Sequence, residues 1–224
     1  MSTKNYNLKA FFTREEKKVR IFLVIFFIVG VIGFTVPLTR NIFIRLTTVA
    51  LLLSFFVLAL FNETDQFKYS LLFFAFIFVF SFLIEMTGVN TGFPFGNYTY
   101  GKGLGIKLLD TPLMIGINWL LLVYCTSIIV NTFTAGATLK ILFASLLMVI
   151  YDIVLEQTAP LLDMWQFNGG IVPLRNYLSW FIVALIFHLI IKLAGIRFNN
   201  RIAAFIFFLH LAFFVAIILI LKVL

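Results

Sequence analysis

Apolar residues in this chain fall into seven blocks of roughly 17 to 21 residues, separated by shorter polar segments. An α-helix needs about that length to cross the hydrocarbon core of a bilayer. The pattern therefore predicts an all-α fold, a polytopic membrane helix bundle of about seven transmembrane helices. The predicted spans are Val19–Pro37, Ile42–Phe61, Tyr69–Met86, Leu113–Val130, Thr138–Glu156, Tyr177–Gly195 and Ile202–Leu221.

Composition supports a membrane protein and excludes several other classes. Of 224 residues, 62% are hydrophobic and only 12% charged, with a mean hydropathy of +1.11, which is too apolar for a surface that faces water. The net charge of +8 would suit a nucleic-acid partner, but the basic residues cluster near the start and in short loops, so we expect none. Cys125 is the only cysteine, which excludes an intrachain disulfide.

The distribution of basic residues predicts the orientation of the chain. We expect a multi-pass protein of the inner (cytoplasmic) membrane with a cytoplasmic N-terminus, in which residues 1–18 form a basic segment and 19–224 a single transmembrane domain. No cleavage site follows the first span, so that span is expected to be retained. Eleven basic residues then lie inside and six outside, the six being Arg40, Arg45, Lys102, Lys107, Arg175 and Lys222.

Two connections are long, and this topology places both on the non-cytoplasmic side. The connection Thr87–Pro112 holds six of the thirteen glycines and several aromatic residues, and Gln157–Asn176 has a similar character. Irregular backbone at membrane depth must line a cavity or be buried in protein. We therefore predict two partly re-entrant loops that form a lid over a pocket.

Three carboxyl groups lie at the predicted outer ends of spans. Glu85 precedes the glycine-rich loop, while Asp152 and Glu156 are four residues apart and so share one helix face. A carboxylate inside a span costs several kcal/mol, which makes each a candidate functional group. Neighbouring desolvated carboxyl groups cannot all ionise, so at least one should stay protonated and could serve as a general acid. Alternatively, they hydrogen-bond helices together or pair with Arg175 or Lys107.

Other polar residues in the spans allow further interpretations. His188 and His210 are predicted at similar depth, where facing imidazoles could bind a haem iron, but a hydrogen bond from each to a neighbouring helix fits so few histidines better. Asn118 and Trp119 should face inward, because an amide in lipid needs a partner. Asp110 lies in a loop that could reach the carboxyl groups.

The loop sequences carry a resemblance to a known family. From Glu85 the chain reads EMTGVNTGFPFGNYTYG, followed by Leu104-Gly105, Pro112 and Asn118-Trp119, and then by Asp152-Ile-Val-Leu-Glu156, Trp165, Pro173, Asn176 and Trp180. This pattern resembles the carotenoid biosynthesis membrane family, which includes carotenoid 1,2-hydratases of the non-photosynthetic type and bisanhydrobacterioruberin hydratases. The resemblance covers under half of the chain. It departs from the family pattern at Gln157, Ser179 and 169–172.

The resemblance implies a bacterial carotenoid hydratase, a hydro-lyase that needs no metal or redox cofactor. Such an enzyme adds water across the terminal C1=C2 bond of an acyclic (ψ) end group, by protonation at C2 and capture of the tertiary cation at C1. Asp152 and Glu156 are the leading acid and base, with Glu85 the third essential group. Residues implied to bind substrate or support the site are Phe95, Tyr98, Tyr100, Asn118, Trp119, Trp165, Asn176, Trp180 and Asp110.

The implied substrate is a lycopene-like or γ-carotene-like carotenoid dissolved in the lipid bilayer, and other carotenoid enzymes are the expected partners. Two alternatives remain open at this point, besides a haem-binding electron carrier that would use the two histidines. A lycopene cyclase begins with the same protonation but lets an internal double bond capture the cation. A carrier or proton-coupled transporter would also place acids in a membrane cavity.

Overall fold

The computed structural model describes residues 14–64 and 66–223. Within them, seven helices are long and apolar enough to cross a membrane, which confirms the predicted helix bundle. The helices are α1 (Glu16–Thr35), α2 (Pro37–Leu60), α3 (Phe67–Thr91), α4 (Met114–Asn131), α5 (Ala137–Thr158), α6 (Leu174–Leu193) and α7 (Ala203–Ile218). Most of the predicted basic segment, residues 1–13, lies outside the described residues.

Each helix overlaps its predicted span, and α3 differs most at its end. Hydropathy ends that span at Met86, but α3 continues to Thr91 and stops where Gly92 adopts a left-handed conformation, with φ of 73°. Glycine takes this conformation without steric cost and commonly ends helices. The extra turn carries the chain past Glu85, so this carboxyl group lies inside α3 and not at its frayed end.

Helix α4 forms the centre of the bundle. Sixteen of its residues are buried, and α2, α3, α5, α6 and α7 all pack against it. The other helices expose many large apolar side chains on their outer faces, as lipid-facing helices do. A fully surrounded helix positions polar side chains away from lipid, which is the setting that Asn118 and Trp119 occupy.

The two long connections pair with each other. Strand β1 (Tyr98–Tyr100) lies between α3 and α4, strand β4 (Trp165–Phe167) lies between α5 and α6, and the two form an antiparallel ladder. The register sets Tyr98 opposite Phe167 and Tyr100 opposite Trp165. The glycine-rich loops are thus joined into one cover at the end of the bundle opposite the start of α1; their re-entrance stays a prediction.

A second ladder lies in the connection between α3 and α4. Strands β2 (Lys107–Leu108) and β3 (Thr111–Pro112) form a hairpin whose two turn residues, Leu109 and Asp110, have φ of 50° and 60°. Two consecutive positive φ values match the turn type that tight hairpins prefer.

Candidate active site

Glu85 on α3 is held by three hydrogen bonds under the paired loops. Its side chain is buried, and its Oε2 accepts from the hydroxyls of Tyr98 at 2.6 Å and Tyr100 at 2.8 Å. Its Oε1 accepts from the indole N–H of Trp119 on α4, at 2.9 Å. The two tyrosines reach one oxygen because alternate residues of a strand point to the same face. Both oxygens of this carboxyl group are therefore hydrogen-bonded, which fixes its orientation under the loops.

Asp152 and Glu156 form a second carboxyl pair, one helical turn apart on α5. The amide of Asn176 on α6 donates to both, at 3.0 Å to Asp152 Oδ2 and 3.1 Å to Glu156 Oε1. The indole of Trp165 donates to the other Glu156 oxygen at 3.0 Å. Asp152 is fully buried, and its Oδ1 has no hydrogen-bond partner in the described part of the chain. The pair therefore has fewer donors per oxygen than Glu85 has.

A small cavity separates Glu85 from Glu156. Its volume is about 10 Å³, at the lower limit for a cavity that holds one water molecule. Asp152 is not part of its wall but is hydrogen-bonded to Asn176, which is. The lining residues are Glu85, Phe95, Tyr98, Tyr100, Ile115, Glu156, Trp165, Phe167, Asn176 and Trp180. The arrangement offers two carboxyl groups facing one water-sized space.

Aromatic rings enclose this cavity. Trp119 and Trp180 stack with ring centroids 3.9 Å apart, and Tyr100 meets Trp165 edge to face across the β1–β4 ladder. Phe95 contributes a ring that is only 1% exposed. The chain has three tryptophans, and all three lie at this site. Such an enclosure excludes bulk water and presents ring faces that stabilise a nearby cation.

No cation neutralises the carboxyl groups among the described residues. The salt bridges found there join Lys18 to Glu15, Arg20 to Glu16 and Arg201 to Glu63, all away from the site. The alternative that Lys107 or Arg175 pairs with the acids is not observed, since the Lys107 ammonium donates to the Tyr100 carbonyl and Arg175 is exposed. The acids do hydrogen-bond neighbouring helices together, which is the other arrangement that the sequence allowed.

The two tyrosines of β1 remain neutral hydrogen-bond donors. Burial raises the pKa of Tyr98 and of Tyr100 above the ordinary value of 10.0, and the negative charge of Glu85 raises it further. A phenol beside a buried carboxylate would have to create a second negative charge in order to ionise. Both hydroxyls are therefore available to Glu85 across the physiological pH range.

The predicted residues line the cavity or are hydrogen-bonded to a residue that does, with two exceptions. Asp110 is exposed in the β2–β3 turn and is not in the cavity wall, because the hairpin directs it outward. Asn118 is buried but does not line the cavity, and its Nδ2 has no partner among the described residues.

Sequence reasoning missed two lining residues, Ile115 and Phe167. Residue spacing could have found both, because Ile115 is one helical turn before Trp119 and Phe167 is two strand positions after Trp165.

The buried histidines lie away from the carboxyl groups. His188 Nε2 is 3.0 Å from the hydroxyl of Thr126, and His210 Nε2 is 2.8 Å from the hydroxyl of Ser54. Each imidazole thus bonds to a hydroxyl on another helix, the arrangement that the sequence favoured over haem ligation.

Comparison of the sequence with known proteins assigns the chain to a family. The profile of the family described as carotenoid biosynthesis protein matches residues 41–224. The chain belongs to this family. It is also similar to a bisanhydrobacterioruberin hydratase of Haloarcula japonica, with 32% identity over 133 residues, which cover 53% of this chain and 45% of that relative. The match therefore spans less than half of the relative's length. No solved structure shows significant similarity.

Ser179 and Gln157, two residues at which the chain departs from the family pattern, each form a hydrogen bond between elements. Ser179 on α6 donates its hydroxyl to the carbonyl of Pro94 at 3.1 Å, which ties the first loop to α6. Gln157 accepts from Lys222 at 3.0 Å, which links the end of α5 to the end of the last helix. Neither Ser179 nor Gln157 lines the cavity.

Proposed function

We propose that this protein is a carotenoid hydratase that adds water across the terminal C1=C2 bond of an acyclic carotenoid end group. The observation that carries the proposal is the water-sized cavity between Glu85 and Glu156. Hydration needs an acid, a positioned water and stabilisation of a cation, and it needs all three beside a hydrocarbon substrate. Membership of a carotenoid biosynthesis family and similarity to a carotenoid hydratase support the same reaction.

In this proposal the Asp152–Glu156 pair supplies the proton. Two carboxyl groups bridged by one amide cannot both carry a negative charge in a buried setting, so the pair holds a proton. Glu156 faces the cavity and Asp152 does not, so Glu156 is the member that reaches the substrate. Its proton adds to C2, and the π electrons of the double bond leave a tertiary cation at C1.

Glu85 stays ionised throughout. Three donors stabilise its negative charge before the substrate arrives, so the charge is already in place when the cation forms. The ring faces of Trp165 and Trp180 add further stabilisation. The stabilisation is electrostatic, and Glu85 needs no change of protonation state.

Water completes the reaction. The oxygen of the water in the cavity bonds to C1, and one of its protons passes to Glu156, which restores the starting carboxyl group. The net change is the addition of one water molecule, with no electron transfer. Asn176 acts as a positioning residue that orients both carboxyl groups through its amide, and Asp152 shares the proton of the pair with Glu156.

The membrane has a part in this chemistry. A long carotenoid is soluble only in lipid, and the aromatic enclosure keeps bulk water from competing for the cation. We include in the proposal the inner membrane as the location, a cytoplasmic N-terminus and a lycopene-like or γ-carotene-like substrate. The carboxyl groups then lie near the non-cytoplasmic face.

The direct test is expression of the chain in cells that make lycopene, followed by extraction and mass measurement of the pigments. A product heavier by one water molecule is expected. We expect Asp152→Asn and Glu156→Gln to leave this product unformed while protein levels in the membrane hold. Normal hydration by both variants would refute the proposed proton source.

The same measurement separates the two alternatives. A cyclase would give a product of unchanged mass, and a transporter would give no new pigment. The space for a water beside the carboxyl groups favours hydration over cyclisation, because a cyclase must keep water away from its cation.

A further inference from the structure

A second, larger cavity lies at the other end of the bundle, where α1 begins. It has a volume of about 580 Å³ and is bounded by the end of α4, the start of α5 and the end of α6, with the chain that follows α6. His188 and Ser127, each only 5% exposed, are the most buried polar residues of its wall. His188 is twelve residues from Asn176 on α6, about 18 Å along the helix axis. The cavity is therefore separate from the carboxyl site.

The charged residues that line this cavity are all basic. Lys140, Lys192 and Arg197 line it, and no acidic residue appears in its wall among the described residues. Neither lysine has a carboxylate within salt-bridge distance in the same part of the chain. Lysine charges gathered at a cavity mouth attract an anion, with phosphate as the commonest biological choice.

Besides the cations and the polar residues Ser127, Asn131 and His188, the wall contains apolar side chains. Val130, Ile141 and Ile191 are apolar residues of the transmembrane helices and lie close to the cations in this wall. A free phosphate ion would gain nothing from these side chains. A molecule with an anionic head and an alkyl chain would contact both parts of the wall.

We propose that this cavity binds a phospholipid with a net negative head group, with the phosphate at Lys140 and Lys192 and an acyl chain against the apolar residues Val130, Ile141 and Ile191. The site does not depend on the proposed hydration, because no residue is shared between the two cavities. A bound lipid would link α4, α5 and α6 at the end of the bundle where the paired loops are absent.

The test uses the full chain in nanodiscs of phosphatidylcholine that contain a small fraction of phosphatidylglycerol. After detergent extraction, mass spectrometry measures how strongly phosphatidylglycerol is enriched on the protein. Each basic residue near a membrane surface contributes enough to change anion affinity about fivefold. We expect Lys140→Gln with Lys192→Gln to reduce the enrichment by at least about tenfold.

Two control variants make the result specific. Lys68→Gln removes an exposed charge from the same end of the bundle but outside the cavity, so it should leave the enrichment unchanged. Lys140→Arg with Lys192→Arg keeps both charges and should retain it. Tryptophan fluorescence checks folding independently, because all three tryptophans lie at the other site.

Three results would overturn the proposal. They are equal enrichment in the wild type and the double glutamine variant, an equal loss in Lys68→Gln, and full competition by millimolar inorganic phosphate. The last would identify a free-anion site and not a lipid site.

Discussion

Replacing Tyr98 by phenylalanine removes one hydroxyl from the carboxylate that we propose stabilises the cation. The bond from Tyr98 to Glu85 Oε2 is 2.6 Å long and buried, and Tyr100 donates to the same oxygen at 2.8 Å. Phenylalanine keeps the ring and its packing against Phe95 and Phe167. The substitution therefore tests the hydroxyl with little change in shape.

The size of the effect follows from the strength of such a bond. A hydrogen bond to a charged group contributes about 1.5–3 kcal/mol, and a factor of ten in rate corresponds to about 1.4 kcal/mol. If the bond supports the charge that faces the cation, Tyr98→Phe should lower kcat/KM by about 10- to 150-fold. The double variant with Tyr100→Phe leaves Trp119 as the remaining donor and should lose more than either single variant.

The assay supplies lycopene to solubilised enzyme and quantifies the hydrated product by chromatography and mass. Tyr124→Phe is the matched control. Its hydroxyl is also engaged, with Asn62 Oδ1 at 2.8 Å and Asn200 Nδ2 at 3.1 Å, but at the opposite end of the bundle. It should lower thermal stability by a similar amount and leave kcat/KM unchanged. Wild-type activity in both Tyr98→Phe and Tyr100→Phe would refute a role for the charge of Glu85.

Three further predictions concern the same site. Asn176→Leu removes both amide bonds to the carboxyl pair and should reduce hydration about 100-fold or more at unchanged expression; an active variant would exclude Asn176 as a positioning residue. Gly88→Ala places a methyl group 2.8 Å from the Tyr98 hydroxyl and should cost about tenfold in activity, whereas Gly136→Ala, which meets nothing within 4 Å, should cost none. Thermal stability should fall as pH rises above 10, because the unfolded chain then ionises tyrosines whose pKa is raised in the fold; an equal decline in the Tyr98→Phe, Tyr100→Phe double variant would contradict this.

The helices and the identity of the acids were accessible from sequence for a simple reason. Crossing a bilayer demands a run of apolar residues, and hydropathy records that demand locally, so all seven spans could be assigned. An acid inside such a run is conspicuous because its cost is high, which singled out Glu85, Asp152 and Glu156. The glycine-aromatic block was also distinctive enough to indicate the family.

The relations among these residues depend on contacts that no local pattern contains. Tyr98 and Tyr100 bind Glu85 because β1 pairs with β4, and the register of two strands some 65 residues apart is set by packing of the whole lid. Asp110 was grouped with the acids by its position in the chain, yet a tight hairpin turns it to the surface.

The sequence therefore established a membrane bundle with three costly acids at one end, since hydropathy and residue type are properties of short segments. Which two acids face a common water-sized space, and which one contacts it only through Asn176, followed from how α3, α5 and α6 are arranged around α4. Burial and hydrogen-bond partners are properties of the packed helices, and they separate three chemically similar carboxyl groups into three different environments.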